Sequence, residues 1–175
     1  MKDILKKLKI LDEFSVDLEI ERSSFVRKMS DVVEPGTVSQ FVPFEAFRAS
    51  KKEYRGNVSD HEFRIRRQRR FFDSNRNWAV ATGSLRQREA NLIVDVEVSS
   101  FTYMFAFFYA FILIFYLVFV GVFIFNGYEN GALLIPFLIF HAAFMLGIPY
   151  LFMRRSTSRM KYDLTRELHF LAGKK

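Results

Sequence analysis

The fold of this chain is decided by residues 101–153, which read FTYMFAFFYAFILIFYLVFVGVFIFNGYENGALLIPFLIFHAAFMLGIPYLFM. This stretch contains no Lys, Arg or Asp and a single Glu. Each of its two apolar runs is about 20 residues or longer, and a helix of that length, rising about 1.5 Å per residue, crosses a hydrocarbon core about 30 Å thick. We therefore predict a membrane protein with transmembrane helices over residues 101–126 and 132–153.

The segment between the two apolar runs, residues 127–131, reads GYENG and follows Asn126. Gly and Asn favour turns, so the chain is expected to reverse here and to return across the same bilayer. The two helices and this external loop are predicted to form a two-helix transmembrane hairpin.

The charges around the hairpin predict its orientation. The net charge is +7, and Lys and Arg outnumber Asp and Glu by 19 to 16 before residue 101 and by 7 to 2 after residue 153. Basic residues near the ends of membrane helices favour the cytoplasmic side, and here they are Arg86, Arg88, Arg154, Arg155, Arg159 and Lys161. We therefore expect a multi-pass plasma-membrane protein with both termini in the cytoplasm.

The N-terminal segment, residues 1–13, has the pattern of a short amphipathic helix. Its apolar face carries Ile4, Leu5, Leu8 and Leu11, and its remaining surface carries Lys2, Lys6, Lys7 and Lys9. Two interpretations are open. The segment is either an interfacial helix on an anionic leaflet or a terminal helix that caps the core of the following domain.

Residues 14–100 predict a small cytoplasmic α+β domain. From Phe14, apolar and polar residues alternate as in a half-buried strand. Ser23 or Ser24 can then cap a helix that reaches about Val33. Beyond an irregular connection over residues 37–50, alternating segments between residues 53 and 98 predict three or four more strands. We expect an antiparallel sheet of four or five strands, with one helix after the first strand.

Residues 154–175 are predicted to form a C-terminal amphipathic helix. The sequence RRSTS at 154–158 is expected to end the membrane span and to cap a helix from about Arg159. Apolar residues then recur at three- and four-residue spacing, namely Met160, Leu164, Leu168 and Leu171. We predict that this helix packs on the sheet of the α+β domain. The alternative is a helix that lies on the bilayer.

This order of elements resembles small uncharacterised bacterial inner-membrane proteins with a split cytoplasmic α+β domain and a two-helix membrane hairpin. The resemblance is carried by the spacing of Tyr54-x-Gly56, Phe63-x-Ile65 and Ala81-x-Gly83 and by a strand ending at Val98, and it covers most of the chain. It implies the same architecture and a place in the bacterial inner membrane. It implies no site, because that family has no assigned activity.

His141 is an ionisable residue near the middle of the second apolar run. Inside a membrane helix such a residue commonly serves as a proton relay or as a ligand of a metal or haem. A metal site needs further ligands, and neither apolar run holds a second His, Cys, Asp or Glu. The alternative is a neutral histidine that hydrogen-bonds to Tyr109 or Tyr116 of the first helix, or to a partner subunit.

Ala143-x-x-x-Gly147 is a small-xxx-small step on the same helix. Such steps let two membrane helices approach closely. The step fits either a seam for a second protein or close packing within the hairpin.

The densest basic run is Arg64-Ile65-Arg66-Arg67-Gln68-Arg69-Arg70. Together with Arg154 and Arg155 it offers candidate contacts for anionic lipid, worth about 1 kcal/mol for each basic residue near the surface. The hairpin holds the run near a bilayer, which favours lipid over nucleic acid as a partner. The alternative is an ordinary solvated strand face with Arg on both sides.

No arrangement of residues indicates catalysis. The chain has no Cys, which excludes thiolate nucleophiles, disulfides and Cys-ligated metals. His61 and His169 have no triad partners, and Asp95 and Glu97, which share a strand face, are expected to pair with Arg or Lys. We therefore predict a non-enzymatic membrane accessory or interaction protein, without cofactor or metal, in a homo-oligomer or larger complex. The alternatives are a lipid-binding or lipid-modifying domain that uses residues 64–70 and a redox or transport subunit that uses His141.

Overall fold

The computed structural model describes residues 2–39, 52–68, 78–125 and 131–173. The chain divides into two compact units. One is formed by Met1–Ser100 together with Met153–Lys175, and the other by Phe101–Phe152. We call them the α+β unit and the apolar unit.

The described residues form four helices and six strands. In chain order they are α1 (Lys2–Lys7), β1 (Leu11–Leu18), α2 (Arg22–Val32), β2 (Val33–Pro35), β3 (Tyr54–Val58), β4 (Glu62–Arg67), β5 (Val80–Arg88), β6 (Asn91–Ser99), α3 (Tyr103–Phe125) and α4 (Gly131–Gly173). The helix predicted after the first strand is therefore present as α2. The irregular connection predicted over residues 37–50 lies mostly outside the described residues.

The strands form one mixed sheet in the order β1-β6-β5-β4-β3-β2. Neighbouring strands are antiparallel except β2 and β3, which are parallel. The prediction of an antiparallel sheet with four or five strands is thus wrong in strand number and in one pairing. The missed strand, β2, has only three residues, too few for an alternating pattern to be seen. Its Pro35 is compatible with an edge position, where a missing N–H does no harm.

Two helices cover one face of the sheet. α2 contributes Phe25 and Met29, which are fully buried. The C-terminal part of α4 contributes a stripe of buried side chains: Met160, Leu164, Leu168 and Leu171. These side chains belong to one core cluster with the sheet residues Val16, Leu18, Phe63, Val94 and Val96. The amphipathic stripe of residues 160–171 therefore packs on the sheet.

The apolar unit contains α3 and the first part of α4. The Tyr109 hydroxyl donates to the carbonyl of Leu146 (3.1 Å), and the Tyr116 hydroxyl lies 2.5 Å from Nδ1 of His141. Tyr116 lies about two turns after Tyr109 on α3, whereas its partner His141 lies before Leu146 on α4. The two helices therefore run antiparallel. Both helices are long and apolar enough to cross a membrane by length and composition. The predicted loop, residues 127–131, lies outside the described residues except for Gly131, which begins α4.

Candidate functional site

The two points where the apolar segment joins the α+β unit are held together by buried hydrogen bonds. Ser100 and Thr157 are both buried, and their hydroxyl oxygens lie 2.8 Å apart. The carbonyl of Ile10 accepts from the Thr157 hydroxyl (3.1 Å) and from the backbone N–H of Ser100 (3.1 Å). We call Ile10, Ser100 and Thr157 the clasp.

The hydrogen bond from Thr157 to Ile10 also determines the direction of the bond between Ser100 and Thr157. A hydroxyl has one proton, so if Thr157 donates to Ile10, then Ser100 must donate to Thr157. Each such bond contributes about 0.5–1.5 kcal/mol net, whereas a buried polar group left unsatisfied costs about 1–3 kcal/mol. The clasp therefore keeps Ser100, which precedes the apolar segment, beside the part of α4 that follows it.

Ser156, the preceding residue on α4, binds the start of β5. Its hydroxyl oxygen accepts from the backbone N–H groups of Trp78 (2.6 Å) and Ala79 (3.0 Å). The sequence predicted that residues 154–158 end one helix and cap another, and this is wrong, because α4 is continuous over 43 residues. The hydroxyls of Ser156 and Thr157 bind the sheet and neighbouring backbone instead of capping a helix terminus.

Sequence reasoning missed this function of Ser156 and Thr157, although a signal was present. The buried positions of α4 recur from Met153 through Ser156, Thr157 and Met160 at three- or four-residue steps. Small polar residues therefore continue the apolar stripe rather than interrupt it. Ser100 carries no comparable signal, since it stands alone between a strand and an apolar run.

α1 is attached directly to the clasp by its C-terminal cap. The backbone N–H of Ile10 donates to the carbonyl of Leu5 (3.1 Å), and that of Lys9 donates to the carbonyl of Lys6 (2.9 Å). Lys9 has φ of 56°, the left-handed conformation that this Schellman motif requires. Ile10 follows at once and enters the clasp, so the end of α1 is fixed there.

Two lysines of α1 also bind the acidic outer face of the sheet. Lys2 Nζ lies 2.6 Å from Glu97 Oε2, and Lys6 Nζ lies 2.8 Å from Glu13 Oε2. The hydrogen bond and the charge of Glu97 raise the pKa of Lys2. No residue of α1 is buried. Within residues 1–13, however, Leu5 is half-buried and Ile10 and Leu11 are buried, so both interpretations of this segment stay open.

The basic run on β4 does not form the surface that the sequence suggested. Arg64 is exposed, but Arg66 is only 2% exposed. Arg67 lies on the other face and pairs with Asp163 of α4 at 2.6 Å. Arg66 and Arg67 therefore do not share one exposed surface for lipid, because side chains alternate along a strand and neighbouring arginines lie on opposite faces. Residues 69 and 70 lie outside the described residues.

Arg154 and Arg155 have the opposite environment. Both are exposed on α4, one turn before the clasp residue Thr157. They are the first charged residues after the apolar stretch. Of the basic residues predicted to contact anionic lipid, these two and Arg64 are the accessible ones among the described residues.

His141 has its partners within the apolar unit. Besides Tyr116, it has Phe137 stacked on its ring, with centroids 5.9 Å apart, and the Tyr116 ring meets it edge-on at 6.0 Å. Tyr109, the other predicted partner, binds Leu146 instead. Among the described residues there is no group of three or more His, Cys, Asp or Glu able to hold a metal ion.

The Ala143-x-x-x-Gly147 step is open in this structure. Ala143 is exposed, and a Cβ placed on Gly147 would meet nothing within 4 Å. Close packing within the hairpin therefore does not account for this step. The face remains available to another helix.

The remaining candidates are engaged with neighbours in the α+β unit. Asp95 binds Arg86, and Glu97 binds Lys2. The hydrogen bond from Ser15, and then Arg86, lowers the pKa of Asp95. His61 Nδ1 lies 3.2 Å from the Arg22 guanidinium, and His169 is exposed on α4.

No protein-family model, curated protein or solved structure matches the chain. The clasp, the two apolar helices and α1 are therefore the features from which a function is inferred. The clasp and the apolar helices show how the α+β unit is connected to the apolar segment. α1 is the exposed element next to that connection.

Proposed function

We propose that this protein is a non-enzymatic membrane accessory or interaction protein whose two-helix hairpin anchors the α+β unit to a bilayer. The observation that carries the proposal is the double use of α4. This helix supplies the second apolar segment and then the side chains, from Met160 to Leu171, that complete the core of the α+β unit. A unit built in this way cannot leave the membrane without losing part of its core.

The exposure of the apolar helices supports insertion into a bilayer. Phe107, Leu117 and Phe140 are 75%, 66% and 72% exposed. Burying a large apolar side chain is worth about 1.5–3 kcal/mol, and soluble proteins rarely expose apolar patches larger than a few hundred Å². Lipid tails remove the cost of this exposure.

The charges support an orientation with both termini in the cytoplasm of a bacterium and the 127–131 loop outside the inner membrane. Arg154 and Arg155 follow the apolar stretch and are exposed. The loop contributes only Glu129 as a charged residue. Basic residues are retained on the cytoplasmic side during insertion.

Assembly into a homo-oligomer or larger membrane complex is the second part of the proposal. The open face at Ala143 and Gly147 supports it, because small residues let a second helix approach closely in a membrane. The non-enzymatic assignment is part of the same proposal, and it is supported by the contacts of Asp95 with Arg86, of Glu97 with Lys2 and of His141 with Tyr116.

Labelling of single cysteines tests the insertion and its orientation. The chain has no Cys, so Asp3→Cys, Glu129→Cys and Lys175→Cys each introduce one unique thiol. A membrane-impermeant maleimide should label Glu129→Cys on intact spheroplasts, and the other two only after permeabilisation. The unchanged chain is the control for background labelling. Labelling of Glu129→Cys only after permeabilisation, or release of the protein by alkaline carbonate, would contradict the hairpin.

The mass of the protein in mild detergent tests the assembly. One copy has a mass of 20.7 kDa, and the purified particle should exceed it after the detergent is subtracted. Gly147→Ile should reduce the particle towards one copy, whereas Phe144→Leu should not. A particle of one copy from the unchanged chain would show that assembly through this face is wrong.

A further inference from the structure

We propose that α1 and the turn that follows it, Leu8 and Lys9, form a second membrane contact. Lys7 and Lys9 bind the anionic headgroups of the leaflet nearest the clasp, while Ile4 and Leu8 enter the interface. This inference rests on the proposed function, because it requires the apolar helices to lie in a bilayer. It moves the lipid-binding surface from residues 64–70 to the N-terminal helix.

The clasp sets the depth of α1 relative to the end of the apolar sequence. Thr157 follows Met153 by four residues on a continuous helix, a rise of about 6 Å. The headgroup layer on each side of a hydrocarbon core is about 5–8 Å thick. Ile10, whose carbonyl accepts from Thr157, lies three residues after the end of α1. It is therefore held beside a residue about one helical turn beyond the apolar sequence, a distance comparable with the thickness of that layer.

A second hydrogen bond holds the same carbonyl oxygen of Ile10. The carbonyl of Ile10 also accepts from the backbone N–H of Ser100, the residue just before the first apolar segment. The Schellman motif at Lys9 ties the last turn of α1 to this point. α1 is therefore held beside both places where the chain meets the apolar sequence.

The surface of α1 has the chemistry of an interfacial helix. Ile4 and Leu8, one turn apart, are 62% and 41% exposed. Lys7 and Lys9 are exposed, and none of the ion pairs in the described ranges involves them. Apolar and basic side chains on one short helix fit an anionic bilayer surface.

The different contacts of the four lysines also support lipid binding. Lys2 and Lys6 bind Glu97 and Glu13, and they hold α1 on the sheet. This leaves Lys7 and Lys9 for an external anion. Arg154 and Arg155, which are exposed on α4 just before Thr157, add two more positive charges near the clasp. An anionic leaflet complements these two arginines together with Lys7 and Lys9.

Depth-dependent quenching tests the proposal on the full-length protein. Ile4→Cys and Leu8→Cys, labelled with an environment-sensitive fluorophore, are reconstituted in nanodiscs of phosphatidylcholine with and without phosphatidylserine. Arg88→Cys is the control. Arg88 pairs with Asn91, at the opposite end of β6 from Ser99, about 26 Å away along the strand. With phosphatidylserine, nitroxide-bearing lipid should quench the labels at 4 and 8 several-fold more than the label at 88, and iodide should do the reverse.

A charge variant tests the role of the two lysines. Lys7→Gln with Lys9→Asn removes both charges, and Asn tolerates the left-handed conformation at position 9. In this background the lipid quenching at Leu8→Cys should fall several-fold. Arg64→Gln with Arg88→Gln removes two exposed charges elsewhere and should leave that quenching unchanged.

The outcomes separate failure of this inference from failure of the proposed function. A label at Leu117→Cys reports insertion of α3. Quenching of this label by lipid, combined with labels at 4 and 8 as accessible to iodide as the label at 88, would overturn the inference alone. An aqueous Leu117 label would overturn both. Equal lipid quenching with and without phosphatidylserine would overturn the recognition of anionic headgroups.

Discussion

The two halves of α4 are one continuous helix with opposite surroundings. In the first half, Leu151 is 59% exposed, and Ile139 and Phe140 are more exposed still. In the second half, Met160, Leu164 and Leu168 are fully buried. The first half is apolar on all sides, whereas the second carries apolar residues as one stripe. The distribution of apolar residues around the helix, rather than their number, therefore separates a surface suited to lipid from one suited to a sheet.

The largest expected effect comes from removing the second half of α4. Truncation after Arg155 deletes Met160, Leu164, Leu168 and Leu171, worth about 6–12 kcal/mol at about 1.5–3 kcal/mol each. The whole stability of a small domain is about 5–15 kcal/mol. The truncated protein should still insert, but limited proteolysis in detergent should degrade residues 1–100. A chain ending at Gly173 serves as the control, and equal resistance of residues 1–100 in both chains would contradict the split core.

A matched pair of substitutions compares the two halves directly. Leu164→Ala should cost about 2–5 kcal/mol, because it leaves a cavity in the core. Leu151→Ala, the same change at an exposed position of the same helix, should stay within about 0.5 kcal/mol. The fluorescence of Trp78, the single tryptophan of the chain, reports unfolding of the α+β unit in denaturant. Similar losses for the two variants would contradict the comparison.

Between the two halves, Thr157→Val tests the clasp. The substitution keeps the shape of the side chain and removes its hydroxyl, which should cost about 1–3 kcal/mol because buried partners lose a bond. Ser158→Ala, an exposed neighbour, should have almost no effect. Combining Thr157→Val with Ser100→Ala should cost less than the sum of the two single changes. Full additivity in the same fluorescence assay would show that the two hydroxyls act independently.

The smallest expected effect lies on the outer face of the sheet, where contacts are exposed to water. The Ser15 hydroxyl, and then Arg86, lower the pKa of Asp95 below its ordinary value of about 3.8. A carboxyl with a lower pKa in the folded chain stabilises the fold above the unfolded pKa, and this contribution is lost as the pH falls through the folded value. Ser15→Ala and Arg86→Gln should each raise the pKa of Asp95 in a carbon-13 NMR titration. An unchanged pKa in both variants would contradict this account.

Sequence patterns were informative wherever a period extended over many residues. The two-residue alternation of β6 and the stripe from Met160 to Leu171 predicted a strand and a covering helix, because burial on one face imposes a period on the sequence. The extent of the two apolar runs followed from composition, although the helix that contains the second run continues beyond Met153 to Gly173. The presence of α2 after the first strand followed from its apolar face. The cap predicted at Ser23 or Ser24 is wrong, because both residues lie inside α2 and its N-cap is Glu21, which makes no side-chain cap bond.

Features that depend on single contacts were not predicted. β2 is formed by parallel pairing with β3, about 20 residues later in the chain. The three residues of β2 are too few to show a strand pattern in the sequence. Ser156 and Thr157 were interpreted as a cap because serine and threonine favour helix starts, and only the position of the sheet gives their hydroxyls other partners. For the basic run on β4, the sequence left open a strand face with Arg on both sides, and Arg66 and Arg67 do lie on different faces. The ion pair of Arg67 with Asp163 of α4 could not be predicted from the run.

The position of the apolar segment between β6 and the end of α4 fixes an order of events during synthesis. The face of the sheet that carries Val94 and Val96 is complete once the ribosome has made Ser99. Its covering residues, up to Leu171, follow about 70 residues later, which takes about 4–14 s at about 5–20 residues per second. For that interval α2 can cover part of this face but α4 cannot, and the apolar segment is synthesised before the unit can close. With the proposed insertion of the hairpin, targeting to the bilayer would precede closure of the α+β unit, and a chain delayed at the membrane would present an aggregation-prone sheet to chaperones.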